Sequence, residues 1–282
     1  MAGVSTKAIK LRIKSMESTR QITKAMELVA ASKLRSAQSR AIASRPYFGA
    51  LYEAMNEIYN SSPHFASPYL QVPKAGKPLY IVIAGDRGLA GGYNNNVFKL
   101  AYSLVEEQDA VVLPIGKKAV EFFQRRGVDI LTEGYAEAAL VSSEDCYAMA
   151  NLMAEGFLQG KFNQIALVYT NFVSMLSQTP ALLDLLPLHE SRCETPGRKN
   201  IIYESGSESV FNAIVPEYLG GLIYGALCES LASEQAARRT AMDAASKNAD
   251  ELLDDLNLRY NRARQGAITQ EITEIVAGSE QS

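Results

Sequence analysis

Apolar residues near the start of the chain recur at Ile9, Ile13, Met16, Ile22, Met26, Val29 and Leu34, mostly in steps of three or four. That is the spacing of one helical face. The pattern resumes after Pro46 with Phe48, Leu51, Met55 and Ile58 and stops at Ser61, Ser62 and Pro63, which predicts a helix kinked at Pro46 rather than ended there. A second long pattern starts at Pro216, a favourable first helical position. It runs through Leu219, Leu222, Leu227, Leu231, Met242, Leu252, Leu256, Tyr260, Ala263, Ile268, Ile272 and Val276. Gly220, Gly221 and Gly225 weaken its first turns on this reading. All ten prolines lie between Pro46 and Pro216, so both ends lack the residue that costs about 3 kcal/mol in a helix interior.

Between the two helices the period changes. LYIVIAG (79–85), AVVLPIG (110–116), VDIL (128–131), QIALVYT (164–170) and NFVSMLSQ (171–178) read as strands, with one more at NIIYE (200–204). Helical patterns over 96–107, 117–127 and 143–159 separate the earlier ones. Strand–helix alternation predicts a mostly parallel sheet with covering helices, Rossmann-like in the loose sense. The expected class is α/β, divided into an N-terminal long helix (1–60), an α/β domain (61–215) and a C-terminal long helix (216–282).

Length makes the two helices partners. At 1.5 Å per residue a helix of about 55 residues spans roughly 80 Å, whereas a domain built from the middle of the chain is about 40 Å across. The parts that overrun it must cover each other, as an antiparallel coiled coil. Charge agrees: residues 1–60 carry ten Lys/Arg against four Asp/Glu, and residues 217–282 carry six against eleven. Residues 25–44 hold six Ala and four Ser, small side chains that suit either a close-packed helical hairpin or a slim shaft fitting inside something.

Candidate chemistry is sparse. The loop GDRGLAGGYN (85–94) lies between strand and helix, where phosphate-binding loops sit. It matches neither G-x-G-x-x-G nor the P-loop, since no Gly-Lys-Ser/Thr follows, so it reads as a tight crossover held by Asp86 and Arg87. His64 and His189 have no metal-ligand companions at suitable spacing. Cys146, Cys193 and Cys228 form no disulfide or zinc pattern. No cofactor, catalytic residue or metal is expected. No apolar run approaches the roughly 20 residues of a membrane span, and no secretory leader is evident. Two other classes stay open on these residues alone: a nucleotide-dependent Rossmann-like enzyme, and a coiled-coil nucleic-acid binder using the basic first helix.

The segments IKSMESTRQITKAMELVAASKLRSAQ (13–38), SRPYF (44–48), GDRGLAGGYN, LASEQAARRTAM (231–242) and YNRARQGAITQEITEIVAG (260–278) occur in an order and spacing that resemble the gamma subunits of F-type ATP synthases. The resemblance implies a non-catalytic central-stalk rotor. It would couple proton-driven rotation of a membrane c ring to conformational changes at catalytic sites of an alpha/beta hexamer, beside an epsilon subunit, at the cytoplasmic face of a bacterial membrane. It also implies beta-subunit contact or coupling at Met26, Arg238, Arg264, Gln265, Thr269 and Glu274, and c-ring contact at Tyr203 and Glu204. Lys24 and Lys33 are electrostatic candidates for beta-subunit contact. Neither nucleic acid nor a small-molecule substrate is implied.

Overall fold

The computed structural model describes residues 6–61, 66–188 and 206–279. In chain order these form α1 (Thr6–Ser61), β1 (Lys77–Ile83), α2 (Tyr93–Gln108), β2 (Val111–Ile115), α3 (Lys117–Gln124), α4 (Ser143–Leu158), β3 (Phe162–Phe172), β4 (Gln178–Leu186) and α5 (Ser207–Ser279). They make two compact units: residues 31–237, and the helix segments before 31 and after 237. The division therefore falls inside both long helices rather than at their ends.

In the 31–237 unit the strands lie in the order β2-β1-β3-β4. β1 is parallel to β2 and β3, and β4 pairs antiparallel with β3 at the edge. Alternation along each strand sorts the core into two layers. Leu79, Ile81, Ile83, Leu113, Ile115, Ile165 and Leu167 face a cluster that includes Met149, Met153 and Phe157 of α4, Phe211, Val215 and Ile223 of α5, and Met55 and Ile58 of α1. Tyr80, Val82, Val112, Ala166 and Val168 meet Val97, Ala101 and Val105 of α2 and Phe123 of α3 on the other face.

Four local expectations need correction. α5 starts at Ser207, and Pro216 lies inside it: Phe211 and Val215, both buried, tie the earlier turns to the sheet cluster. Gly220 and Gly221 are packing positions rather than weak turns, because a Cβ there would collide with the rings of Tyr147 and Phe48. VDIL makes a single bridge, Val112 with Ile130, held by hydrogen bonds from Val112 N to Asp129 O and from Leu131 N to Val112 O, each 2.8 Å. NFVSMLSQ is mostly a turn. β3 stops at Phe172, and the Ser174 hydroxyl accepts from Leu176 N (3.3 Å) and Ser177 N (3.1 Å), a serine turn that reverses the chain into β4.

β4 itself was not evident in the sequence. Its Pro180 is compatible with an edge strand. NIIYE lies outside the described residues. α5 also contains a stretch long and apolar enough, by length and composition, to cross a membrane. Within the fold, however, α5 residues Phe211, Val215, Leu219, Ile223 and Leu227 are buried in the sheet cluster.

Candidate functional site on the paired helix segments

In the second unit α1 and α5 run antiparallel. Arg20 pairs with Asp250 (Nη1–Oδ1, 3.0 Å), and the hydroxyls of Thr23 and Ser246 meet at 2.7 Å. The buried line on α1 is Ile9, Thr23 and Ala30, with Ile13, Met16 and Glu27 half-buried between them. Those positions repeat in steps of four and three once exposed Arg20 is included, which is a heptad pattern. The facing line on α5 is Met242, Ser246, Ala249 and Leu253, followed by half-buried Leu256, Tyr260 and Ala263.

Two residues counted by sequence in the apolar stripe of α1 are therefore on the outside. Ile22 and Val29 are each 56% exposed, while their neighbours Thr23 and Ala30 are buried. Leu252 is likewise 50% exposed beside buried Leu253. A step of one residue rotates a helical side chain by about 100°, so choosing the larger apolar neighbour selects the wrong face. Leu11, Ile22 and Val29 are separated by eleven and seven residues, close to three and two whole turns, and fall on one line.

At the observed register Thr6, the first residue of α1, falls opposite residues 263–264 of α5. Beyond that point α5 has no α1 partner among the described residues. Ile268, Ile272, Ile275 and Val276 are all exposed there. Arg264, Gln265 and Thr269 are exposed as well. Thr269 turns its hydroxyl back to Gln265 O (2.9 Å), and Thr273 does the same to Thr269 O (2.8 Å). An apolar surface rimmed by such polar groups is suited to gripping a protein.

The other sequence candidates are scattered. Met26 is half-buried. Lys24 is exposed and pairs within its own helix with Glu27 (2.9 Å). Arg238 is only 9% exposed and is already engaged within the protein. Lys33, in the sheet-bearing unit, is exposed. Glu274 lies on α5. Tyr203 and Glu204 lie outside the described residues. Sequence reading missed the exposed line of Leu11, Ile22 and Val29 as a separate face; its seven- and eleven-residue spacing was the available signal.

The glycine loop is organised by its own chain. Asp86 accepts from Ala138 N (2.8 Å), Ala139 N (3.2 Å) and Lys117 N (3.3 Å). Asn94 accepts from Gly85 N (2.8 Å) and donates to Arg87 O (3.3 Å). These bonds match the expectation of a crossover held by Asp86, with Arg87 contributing its carbonyl. The Cys146 thiol is pushed up to about 12 by burial, which removes it as a nucleophile. No cluster of metal-ligating side chains occurs among the described residues.

The sequence model of the ATP synthase family matches residues 5–281. An ATP synthase gamma chain of Ruminococcus albus is 47% identical over 281 residues, spanning 97% of each chain. A sodium-ion-specific ATP synthase gamma chain of Acetobacterium woodii is 38% identical, covering 96% of this chain and 97% of that one. In fold, the chain is similar to a chain of the Euglena gracilis mitochondrial ATP synthase rotor, with a TM-score of 0.63 at 18% identity over 93% of this chain and 98% of that one. With relatives this similar from end to end, the chain belongs to the ATP synthase gamma chain family.

Proposed function

We propose that this chain is the non-catalytic central-stalk rotor subunit of an F-type ATP synthase, at the cytoplasmic face of a bacterial membrane. Its paired helices sit within an alpha/beta hexamer, and its sheet-bearing unit meets an epsilon subunit and the c ring. The observation that carries the assignment is the end-to-end similarity to gamma chains. The end of α5 supports the mechanical part: beyond its α1 partner it keeps four large apolar side chains exposed, a surface for another subunit to grip.

A shaft performs no covalent chemistry, so its effect on ATP synthesis must come from contacts that differ among beta-subunit conformations. A ligand with equal affinity for two states shifts neither. Arg264, Gln265, Thr269 and Glu274 supply the polar contacts at the α5 end, with Met26, Arg238, Lys24 and Lys33 further along the helices. Tyr203 and Glu204 supply the c-ring contact. Charged and hydrogen-bonding groups suit this task because they bind strongly when aligned and release when the partner geometry changes.

The test is reconstitution with alpha and beta subunits. The wild-type chain is expected to co-purify in a gamma:alpha:beta ratio of about 1:3:3, that of one rotor in a hexamer with threefold repetition. Replacing Arg264 and Gln265 together by Ala should impair assembly or coupled ATPase activity while leaving the isolated chain folded. Normal assembly and coupling in that variant would remove both residues from the proposed site. Failure of the wild-type chain to associate with alpha and beta would overturn the rotor assignment.

A further inference from the structure

The sheet-bearing unit retains a ligand-binding position of its fold. β1 is flanked by β2 on one side and β3 on the other, all parallel, while α2 and α4 pack on opposite faces. The order of strands reverses between β1 and β3. In such sheets a crevice opens at the carboxyl ends of these strands, and anions sit on the N-terminus of the helix that follows the first one.

A cavity of about 90 Å³ lies there, lined by Gly92, Tyr93 and Asn96 of the α2 start, Thr170 of β3, and Gln178 and Pro180 of β4. Two independent features converge on it. The sixteen-residue helix α2 begins after Gly92 with no side-chain cap; Tyr93 N already donates to Ala90 O (3.2 Å) and Asn96 N to Gly92 O (2.9 Å), which leaves the N–H groups of Asn94 and Asn95 to an outside acceptor. Thr170 is 2% exposed, and its Oγ1 is buried without a hydrogen-bond partner among the described residues. The backbone of Thr170 is satisfied: its N–H donates to Ser230 Oγ (3.1 Å), and its carbonyl accepts from Ser233 Oγ (3.2 Å). The unmet group is therefore the hydroxyl alone, on a residue that lines the cavity.

Size limits the ligand. The cavity accommodates a tetrahedral oxyanion but not a nucleotide. The space at the end of β1 is taken by the chain itself, since a Cβ on Gly85 would stand 2.8 Å from Glu234 Oε1. That carboxylate, and a lining without Lys or Arg, weaken anion binding. We propose that this cavity is a binding site for a small oxyanion, inorganic phosphate, held by the Thr170 hydroxyl, the Asn94 and Asn95 N–H groups at the start of α2 and the Asn96 side-chain amide. The proposal is independent of the rotor assignment.

The full-length chain is titrated with inorganic phosphate, using chloride at equal ionic strength as the control, and read by ³¹P line width and thermal midpoint. Phosphate should broaden and should raise the midpoint, whereas chloride should do neither. Thr170→Val should abolish both effects, and Thr170→Ser should retain them. Asn96→Ala, at an exposed position, provides a second test should Thr170→Val fail to fold, and it should reduce the broadening several-fold. Equal broadening in the Val or Ala variant would overturn the site. So would a wild-type chain indifferent to phosphate, which is the behaviour of a cavity that holds only water.

Discussion

The sheet-bearing unit and the paired-helix unit are packed from different mixtures of residue. In the first, large side chains such as Phe123, Phe157, Ile81 and Leu113 are essentially inaccessible. In the second, the buried line includes Thr23, Ala30, Ser246 and Ala249, while Ile22, Leu28, Val29 and Leu252 face outward. Burial of apolar area contributes about 25 cal/mol per Å², so the first unit carries its stability internally. The second leaves much of its apolar surface exposed. The difference separates a unit whose large apolar side chains lie inside from one that leaves several of them on its surface.

The contrast can be broken most forcefully in the sheet core. Phe157→Ala is expected to cost about 3–5 kcal/mol, measured by chemical denaturation of the full chain. A loss no larger than that of a surface substitution would mean the core is not packed as described. In the helix pair, Thr23→Val leaves the Ser246 hydroxyl, 6% exposed, without its partner, a loss of about 1–3 kcal/mol. Adding Ser246→Ala should recover most of it, because two apolar groups leave nothing unsatisfied. If the double variant were as unstable as the single, the hydroxyl pair would not be what sets this interface.

A smaller effect tests a helix start in the first unit. Ser142 and Asp145 form a reciprocal capping box at α4, so Asp145→Ala should cost about 1 kcal/mol. Hydrogen bonds from the Ser142 N–H and then the Ser142 hydroxyl hold the Asp145 carboxyl below its ordinary range. A lowered folded-state pKa contributes stability above the unfolded value and loses it as pH falls through the folded value. The wild-type advantage should therefore be full at neutral pH and shrink in acid below the usual aspartate range; an advantage that grows in acid would refute the assignment. Smallest of all, Arg20→Ala removes an exposed ion pair to Asp250 and should cost about 0–1 kcal/mol, vanishing in high salt. A salt-independent loss would show that Arg20 acts by packing instead.

Much of this was legible beforehand where local and global preferences agree. LYIVIAG, AVVLPIG and QIALVYT are β-branched runs too short for helices, and each became a strand. The absence of proline beyond Pro216 allowed α5 to run on, and the opposite charges of the two ends anticipated Arg20 with Asp250. β4 was not legible because its pattern, QTPALLDLL, contains a proline and no strict alternation; pairing with β3 makes it a strand. The early start of α5 escaped for a similar reason, since proline is favoured at a first helical position and only the burial of Phe211 and Val215 decides otherwise.

The candidate site divides in the same way. The exposed apolar end of α5 could be read directly, because a run such as ITQEITEIV has nothing in the sequence to pair with. The true seam of the helix pair could not. Hydrophobicity favours Ile22 and Val29 as the inward residues, but the heptad line that meets α5 runs one position further on, through Thr23 and Ala30.

The sequence by itself determined the two long helices and the strands β1, β2 and β3 with the helices between them, because these follow from periodicity along one chain. The tertiary structure alone decided which helical faces meet, why Gly220 and Gly221 must be glycine, and where the Thr170 hydroxyl ends up. These depend on the space left between elements distant in sequence, and no local preference encodes that space.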